Sequence, residues 1–189
     1  MKKEKIRIVL DTNIFINPDS HTFFGNSPYE ALNNFLLQLE DKIQLQCYMP
    51  PSIYEELIKF IDMRKVSKQF VLVTKKPPSK YDLPIPAIFL YEFIEEIRTR
   101  INKGMRVAEK HSRKGLKGMD EEELIKNLRN EYRIALREGI IDSKEDFDLI
   151  LLAKELDAHL ATTDTGLIKW AQKLGISCIS AGELKQFLE

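Results

Sequence analysis

Four aspartates stand where alternating strands and helices would gather them. They are Asp11 in Val9-Leu10-Asp11-Thr12-Asn13, Asp142 and Asp146 in Asp142-Ser143-Lys144-Glu145-Asp146, and Asp164 in Thr162-Thr163-Asp164-Thr165. Each closes a strand-like run or opens a helix-like one. In a parallel sheet the C-terminal ends of the strands share one edge, so acids distant in sequence can meet there. Carboxylates forced together repel, and they stay ionised only around a cation. All-oxygen ligands of this kind suit Mg²⁺ or Mn²⁺. The simplest chemistry for such a cluster is metal-assisted hydrolysis of a phosphodiester.

Taken singly, each of these acids reads better as a turn residue or a helix cap than as a metal ligand. Their combination carries the functional reading: two separate strands end in Asp-Thr, and a third segment supplies two acids one helical turn apart. Asp11, Asp142, Asp146 and Asp164 are therefore the expected catalytic, metal-holding residues. Asp148 points away from the Asp146 face of a regular helix and would reach a metal through water, or be solvated. Glu56 is a candidate fourth-side ligand and Glu55 a weaker one, although acids in a first helical turn suit the helix dipole whatever the function. Thr12 and Asn13, with Thr163, are expected to orient the carboxylates, as metal ligands require, or simply to stabilise turns.

Other phosphate chemistries on α/β folds fit poorly. Asn13 stands where a phospho-aspartate hydrolase would want its second acid, and Ile179-Ser180-Ala181-Gly182 offers no lysine of the receiver type. No Gly-rich phosphate loop occurs. His21, His111 and His159 accompany no defensible Ser or Cys nucleophile.

The elements that must position these acids follow from periodicity. Ile6 to Leu10 reads as a buried strand, and residues 17–27 as a loop. A helix beginning at Pro28 carries Leu32, Phe35, Leu36 and Leu39. Gln44 to Met49 is a second strand, stopped by Pro50-Pro51, and Ser52 to Met63 a helix. Phe70 to Thr74 is a short strand or an irregular connection, and the proline-rich stretch from Lys75 to Pro86 an extended loop. Ser143 caps a helix bearing Phe147, Ile150, Leu151 and Leu156. His159 to Thr163 is a strand, Leu167 to Leu174 a helix, Ile176 to Ser180 a strand and Gly182 to Leu188 a short helix. Alternation of this kind implies right-handed crossovers and a parallel sheet.

Between the two halves, Ile94, Ile97, Ile101 and Met105 recur at helical spacing, and Leu124, Leu128 and Tyr132 do so after the break at His111–Gly118. Two long helices around a basic, Gly-containing turn make a hairpin. The expected organisation is an α/β core over residues 1–84 and 139–189, with the helical insert at 85–138. The two stripes are expected to face each other, leaving Phe89, Leu90, Phe93 and Leu136 for another subunit.

The 189 residues are 43% apolar and 31% charged, with a net charge of zero, so one sizeable core is affordable and no global polycation exists. Charge is nonetheless segregated. From Arg98 to Lys117, eight basic residues face Glu109 alone along the chain. Arg106, Lys110, Arg113, Lys114 and Lys117 are the expected nucleic-acid-binding set; the alternative is an ordinary solvated helix face. Cys47 and Cys178 lie in apolar runs and read as buried thiols of a reducing compartment. The charged start, Met1-Lys2-Lys3-Glu4-Lys5, leads into an apolar run that breaks at Asp11, unlike a signal peptide or a membrane span. A cytoplasmic location is expected.

With Val9-Leu10-Asp11-Thr12-Asn13, Glu56-Leu57, Asp142, Asp146-Phe147-Asp148-Leu149-Ile150-Leu151-Leu152-Ala153 and Thr162-Thr163-Asp164 in this order, the sequence resembles PIN-domain nucleases. With the basic hairpin included, the whole chain resembles the minimal protein-only ribonuclease P family, the homologues of Aquifex RNase P (HARP). That resemblance implies a Rossmann-like PIN core with a helical protrusion, and removal of the 5′ leader from precursor tRNA. It implies large homo-oligomers, and metal acids at Asp11, Asp142, Asp146 and Asp164 with Asp148 also involved. The products implied carry a 5′-phosphate and a 3′-hydroxyl. Two rivals remain open at this level: another PIN endoribonuclease, acting on ribosomal RNA precursors or as a toxin, and an RNA-binding PIN scaffold that does not cut.

Overall fold

The computed structural model describes residues 5–118, 120–137, 141 and 143–189. It divides into two compact units: Met1–Pro84 with Ser143–Glu189, and Ile85–Asp142.

The first unit is built on strand β1, Ile6–Leu10, whose Ile8, Val9 and Leu10 are fully buried. Burial on both faces is the signature of a central parallel strand. Two single-turn helices follow, α1 at Asn13–Ile16 and α2 at Pro18–His21. The loop expected over 17–27 is thus partly helical, because Asn17 accepts a hydrogen bond from the Asp19 amide and Pro18 occupies the first helical position. Helix α3, Pro28–Glu40, is capped by Ser27 and buries Ala31, Leu32, Phe35, Leu36 and Leu39.

Strand β2, Leu45–Met49, alternates buried and half-buried residues and leads into α4, Pro51–Phe60. A 3₁₀ turn at Lys68–Leu72 precedes strand β3, Val73–Lys75. After the second unit come helix α7 at Lys144–Leu156, strand β4 at His159–Ala161, helix α8 at Thr165–Lys173, strand β5 at Cys178–Ile179 and helix α9 at Ala181–Leu188. All described pairings are parallel, in the order β3-β2-β1-β4-β5. The chain is an α/β protein of PIN-like architecture. Its strand order reverses at β1, with β2 on one side and β4 on the other, and the crevice beyond the C-terminal ends of such a pair is where α/β sheets bind ligands. Cys47 is buried in β2, which pushes its thiol up to about 12, whereas Cys178, expected to be buried, is partly exposed.

The second unit is a hairpin of α5, Ala87–Gly115, and α6, Glu121–Arg137. Helix α5 runs through His111, which is buried within it, so the turn is shorter than the sequence suggests. The face that α5 buries also differs from the expected stripe. Ile94, Ile97, Ile101 and Met105 are exposed by 49, 37, 57 and 58%, whereas Phe89, Arg100, Gly104 and His111 are buried. Gly104 contributes to this face: a Cβ there would lie 2.8 Å from the Tyr132 ring, so its absence lets that ring of α6 lie close against the row. Arg100 joins the buried row because its guanidinium donates twice to Glu96 Oε1, at 2.9 and 2.7 Å, and once to the Ala135 carbonyl at 3.4 Å. Phe89, expected among the leftover apolar residues, is itself only 5% exposed. No described helix is long and apolar enough to cross a membrane.

Candidate active site

The site begins at Asp11. The last residue of β1 hands the chain to a residue that is only 3% exposed, with its amide bonded to the Ala161 carbonyl of β4 at 3.0 Å. Both strand ends are thereby fixed side by side.

Both oxygens of the carboxylate accept hydrogen bonds from neutral donors. Thr162 Oγ1 donates to Asp11 Oδ2 at 2.6 Å, and Asn13 Nδ2 donates to the same oxygen at 3.1 Å. The Asn13 amide reaches Oδ1 at 3.3 Å, with Thr12 Oγ1 at 3.4 Å. No Lys or Arg among the described residues pairs with it. Burial pushes the Asp11 carboxyl above its ordinary range; the hydrogen bonds from Thr162 and Asn13 oppose this, and the nearby Glu56 carboxylate adds to it. A buried anion beside a second anion, with no protein cation, is a donor arrangement that a hard divalent cation would complete.

Glu56 projects from the second turn of α4 and is half-buried, while Glu55 beside it is exposed. Thr162 was not singled out from sequence; Thr163 was. Thr162 is buried and touches Asp11, whereas Thr163 Oγ1 accepts from Asn17 Nδ2 at 3.4 Å. Neighbouring residues at a strand end face opposite ways, but Leu160, Ala161 and Thr162 are all buried, so burial pattern alone does not tell the two threonines apart.

The same Thr162 hydroxyl accepts the Asp164 amide at 3.1 Å, so one oxygen links Asp11 to the Asp164 backbone. The Asp164 side chain is exposed and caps α8, its Oδ1 accepting the Leu167 amide at 2.8 Å. Asp146 lies in the first turn of α7, where its amide donates to Ser143 Oγ at 3.0 Å. Asp142 lies outside the described residues. Among those described, no three of these acids group closely enough to hold one ion; Glu56 is within electrostatic reach of Asp11.

Asp148 has a different environment. Its Oδ2 accepts from Ser52 Oγ at 2.9 Å, and its Oδ1 lies 2.8 Å from Lys80 Nζ. Both oxygens are thus engaged by the protein.

On the hairpin, Arg106, Arg113 and Lys117 are exposed and Lys114 is half-buried. Lys110 is ion-paired to Glu131 at 2.7 Å, and Glu131 is pulled below its ordinary range by Lys110 first and by His111 after it. At 3.4 Å, His111 Nε2 is an electrostatic neighbour of Glu131 rather than a hydrogen-bond partner. Arg98 and Arg100 pair with Glu95 and Glu96. Counterions from preceding turns and from α6 therefore temper a run that looks almost unopposed along the chain.

A family of PINc-domain ribonucleases matches residues 7–189. A protein from Thermodesulfovibrio yellowstonii called RNA-free ribonuclease P is 50% identical over 187 residues, covering 98% of this chain and 95% of its own. Proteins of the same name from Pyrococcus abyssi and Nitrosococcus oceani are 48% and 42% identical, each over 97% of this chain and over 92% and 94% of their own.

Proposed function

The chain belongs to the PINc-domain ribonucleases and, within them, to the RNA-free ribonuclease P family, and on that premise we propose that it removes the 5′ leader from precursor tRNA with the help of a divalent cation. It is an endoribonuclease of the ribonuclease P type. The observation that carries the finer reading is the Asp11 carboxylate: buried at the sheet's switch point, beside Glu56, and bound only by neutral donors among the described residues.

Asp11 and Glu56 would hold Mg²⁺ or Mn²⁺, joined by Asp142, Asp146 and Asp164 on the strength of the family resemblance. When bound, such an ion activates an attacking water and stabilises the departing 3′-oxygen, leaving a 5′-phosphate and a 3′-hydroxyl. The protein's own part is positioning. Thr162 and Asn13 fix the Asp11 carboxylate, so no reorganisation is needed as the scissile phosphate arrives. Burial of Asp11 and Thr162 keeps bulk water from screening the charge.

The insert, residues 85–138, is the RNA-gripping element in this reading. Arg106, Lys110, Arg113, Lys114 and Lys117 contact phosphates of a structured RNA, which is recognised mainly by shape and charge. The exposed apolar row on α5 is covered by a second copy of the chain in a large homo-oligomer. Support comes from the row itself, in which Leu90, Ile94, Ile97, Ile101 and Met105 are all exposed at helical spacing. The cytoplasm is the compartment this reading requires.

The test is to incubate the purified protein with leader-bearing precursor tRNA and Mg²⁺ and to size and end-label the products. Mature 5′ ends carrying phosphate are expected, with no product in EDTA. Cleavage at scattered sites, or full activity in EDTA, would overturn the reading.

A further inference from the structure

The proline-rich connection after β3 is strapped across α7 at two places. Lys76 Nζ lies 2.6 Å from Glu155 Oε1, and the Ser79 amide donates to Glu155 Oε2 at 2.6 Å. Two helical turns nearer the α7 N-terminus, Lys80 Nζ lies 2.8 Å from Asp148 Oδ1. The strap is therefore anchored by Glu155, and its last anchored residue is a lysine.

Asp148 is itself fixed. Its side chain is 13% exposed, and Ser52 Oγ holds its second oxygen at 2.9 Å. Ser52 opens α4 and stands one turn before Glu56, so both residues lie on one side of that helix. Glu56 faces Asp11 and Ser52 faces Asp148. Lys80 is thus tied, through Asp148 and Ser52, to the side of α4 that carries Glu56.

An ammonium has three donors. Asp148 takes one, and the Lys80 side chain remains 56% exposed. A salt bridge so open contributes little to stability. What the pair does is aim the ammonium at Asp148 while leaving much of the side chain open to solvent, where an anion can reach it. The anion that reaches this rim during phosphodiester cleavage is the RNA backbone.

Resting on the ribonuclease reading above, we infer that Lys80 receives an RNA phosphate at the rim of the acidic site, and that Asp148 is a positioning residue acting through Lys80. The remaining Lys80 donors bond a phosphate flanking the scissile one while Asp148 keeps its grip. The role of Asp148 is then carried by RNA affinity and registration.

Equilibrium binding of precursor tRNA in EDTA, over a salt series, tests this without any contribution from a bound metal. K80Q is expected to weaken binding several-fold at low salt and to flatten the salt dependence by about one phosphate contact. K80R should retain the wild-type slope. D148N and S52A should each lose part of the affinity, and K80Q/D148N should bind no worse than K80Q, because the two residues act as one unit. Wild-type affinity and slope in K80Q, or additive losses in the double variant, would overturn the inference. Cleavage of the same RNA in Mg²⁺ is measured in parallel. A wild type that binds but does not cut would sink the ribonuclease P reading while leaving the Lys80 result to be read from binding alone; one that does not bind RNA would sink both.

Discussion

Thr162 donates its hydroxyl to Asp11 Oδ2 at 2.6 Å, across 151 residues of chain, and the same oxygen accepts the Asp164 amide. This one hydroxyl ties the end of β4 to the end of β1 and sets the direction of the buried carboxylate. Replacing it by a methyl in Thr162→Val leaves Oδ2 with Asn13 alone and the Asp164 amide without its acceptor. We expect a 10- to 100-fold loss of single-turnover cleavage, on the order found for outer-shell partners of metal ligands, and Thr162→Ser to keep most of the activity. Rapid-quench kinetics on the two variants decides it; equal loss in both would mean that packing, not the hydrogen bond, is what matters.

Asp11 makes stability depend on pH in a definite direction. Its carboxyl is raised above the ordinary range by burial, so the folded state prefers the protonated form. The associated stability is fully present below the ordinary carboxylate range and is lost as pH rises through the raised value. Without metal, the Tm of Asp11→Asn minus that of wild type should therefore grow as pH rises from about 4 to 7. Taking the difference cancels the opposite trends of Glu155 and Glu183, which are held low in both proteins. Mg²⁺ should shrink the difference by stabilising the wild type alone. A difference that is flat with pH would show that ionised Asp11 costs the fold nothing.

Basic residues of the hairpin should separate into two groups. Arg100 is buried and bound to Glu96 and the Ala135 carbonyl, so Arg100→Ala should cost on the order of 2 kcal/mol, as removal of a buried polar partner does. Arg113→Gln/Lys117→Gln removes exposed charges; it should leave Tm nearly unchanged while weakening precursor tRNA binding and reducing its salt dependence. Thermal melts and filter binding on both variants test the division. It fails if Arg113→Gln/Lys117→Gln melts as early as Arg100→Ala.

Much of this arrangement was legible in the chain, and what was not has local causes. The run ending at Asp11 is apolar and β-branched, so the central strand and its acid announce themselves. Glu56, a candidate from its place in the helix after Pro50-Pro51, lies within electrostatic reach of Asp11. Which of Thr162 and Thr163 faces Asp11 depends on where β4 ends, and that is set by pairing with β1 and β5 rather than by local pattern. The α5 face misled for a different reason. Hydrophobic periodicity picks out Ile94, Ile97, Ile101 and Met105, but the hairpin instead buries a row containing an arginine, a glycine and a histidine. The Tyr132 ring lies close over Gly104 on the buried row, and the apolar row is left facing outward.

That displaced row yields the last prediction. Leu90, Ile94, Ile97, Ile101 and Met105 recur every three or four residues along α5, and each is at least 37% exposed. A continuous stripe of this length is costly to leave in water, at about 25 cal/mol per Å² of apolar area, and in a homo-oligomer a second copy of the chain can cover it. Ile94→Glu/Ile101→Glu places two charges within the stripe without touching the buried row of Arg100, Gly104 and His111, so the hairpin should still fold. Light scattering should find the wild type as a large assembly and the double variant as a much smaller species with unchanged helix content. A substitution at Phe89 would not answer the question, because that ring is buried and its loss would disturb the fold itself. If the wild type is monomeric, or if the double variant keeps the full assembly, the stripe is not the interface.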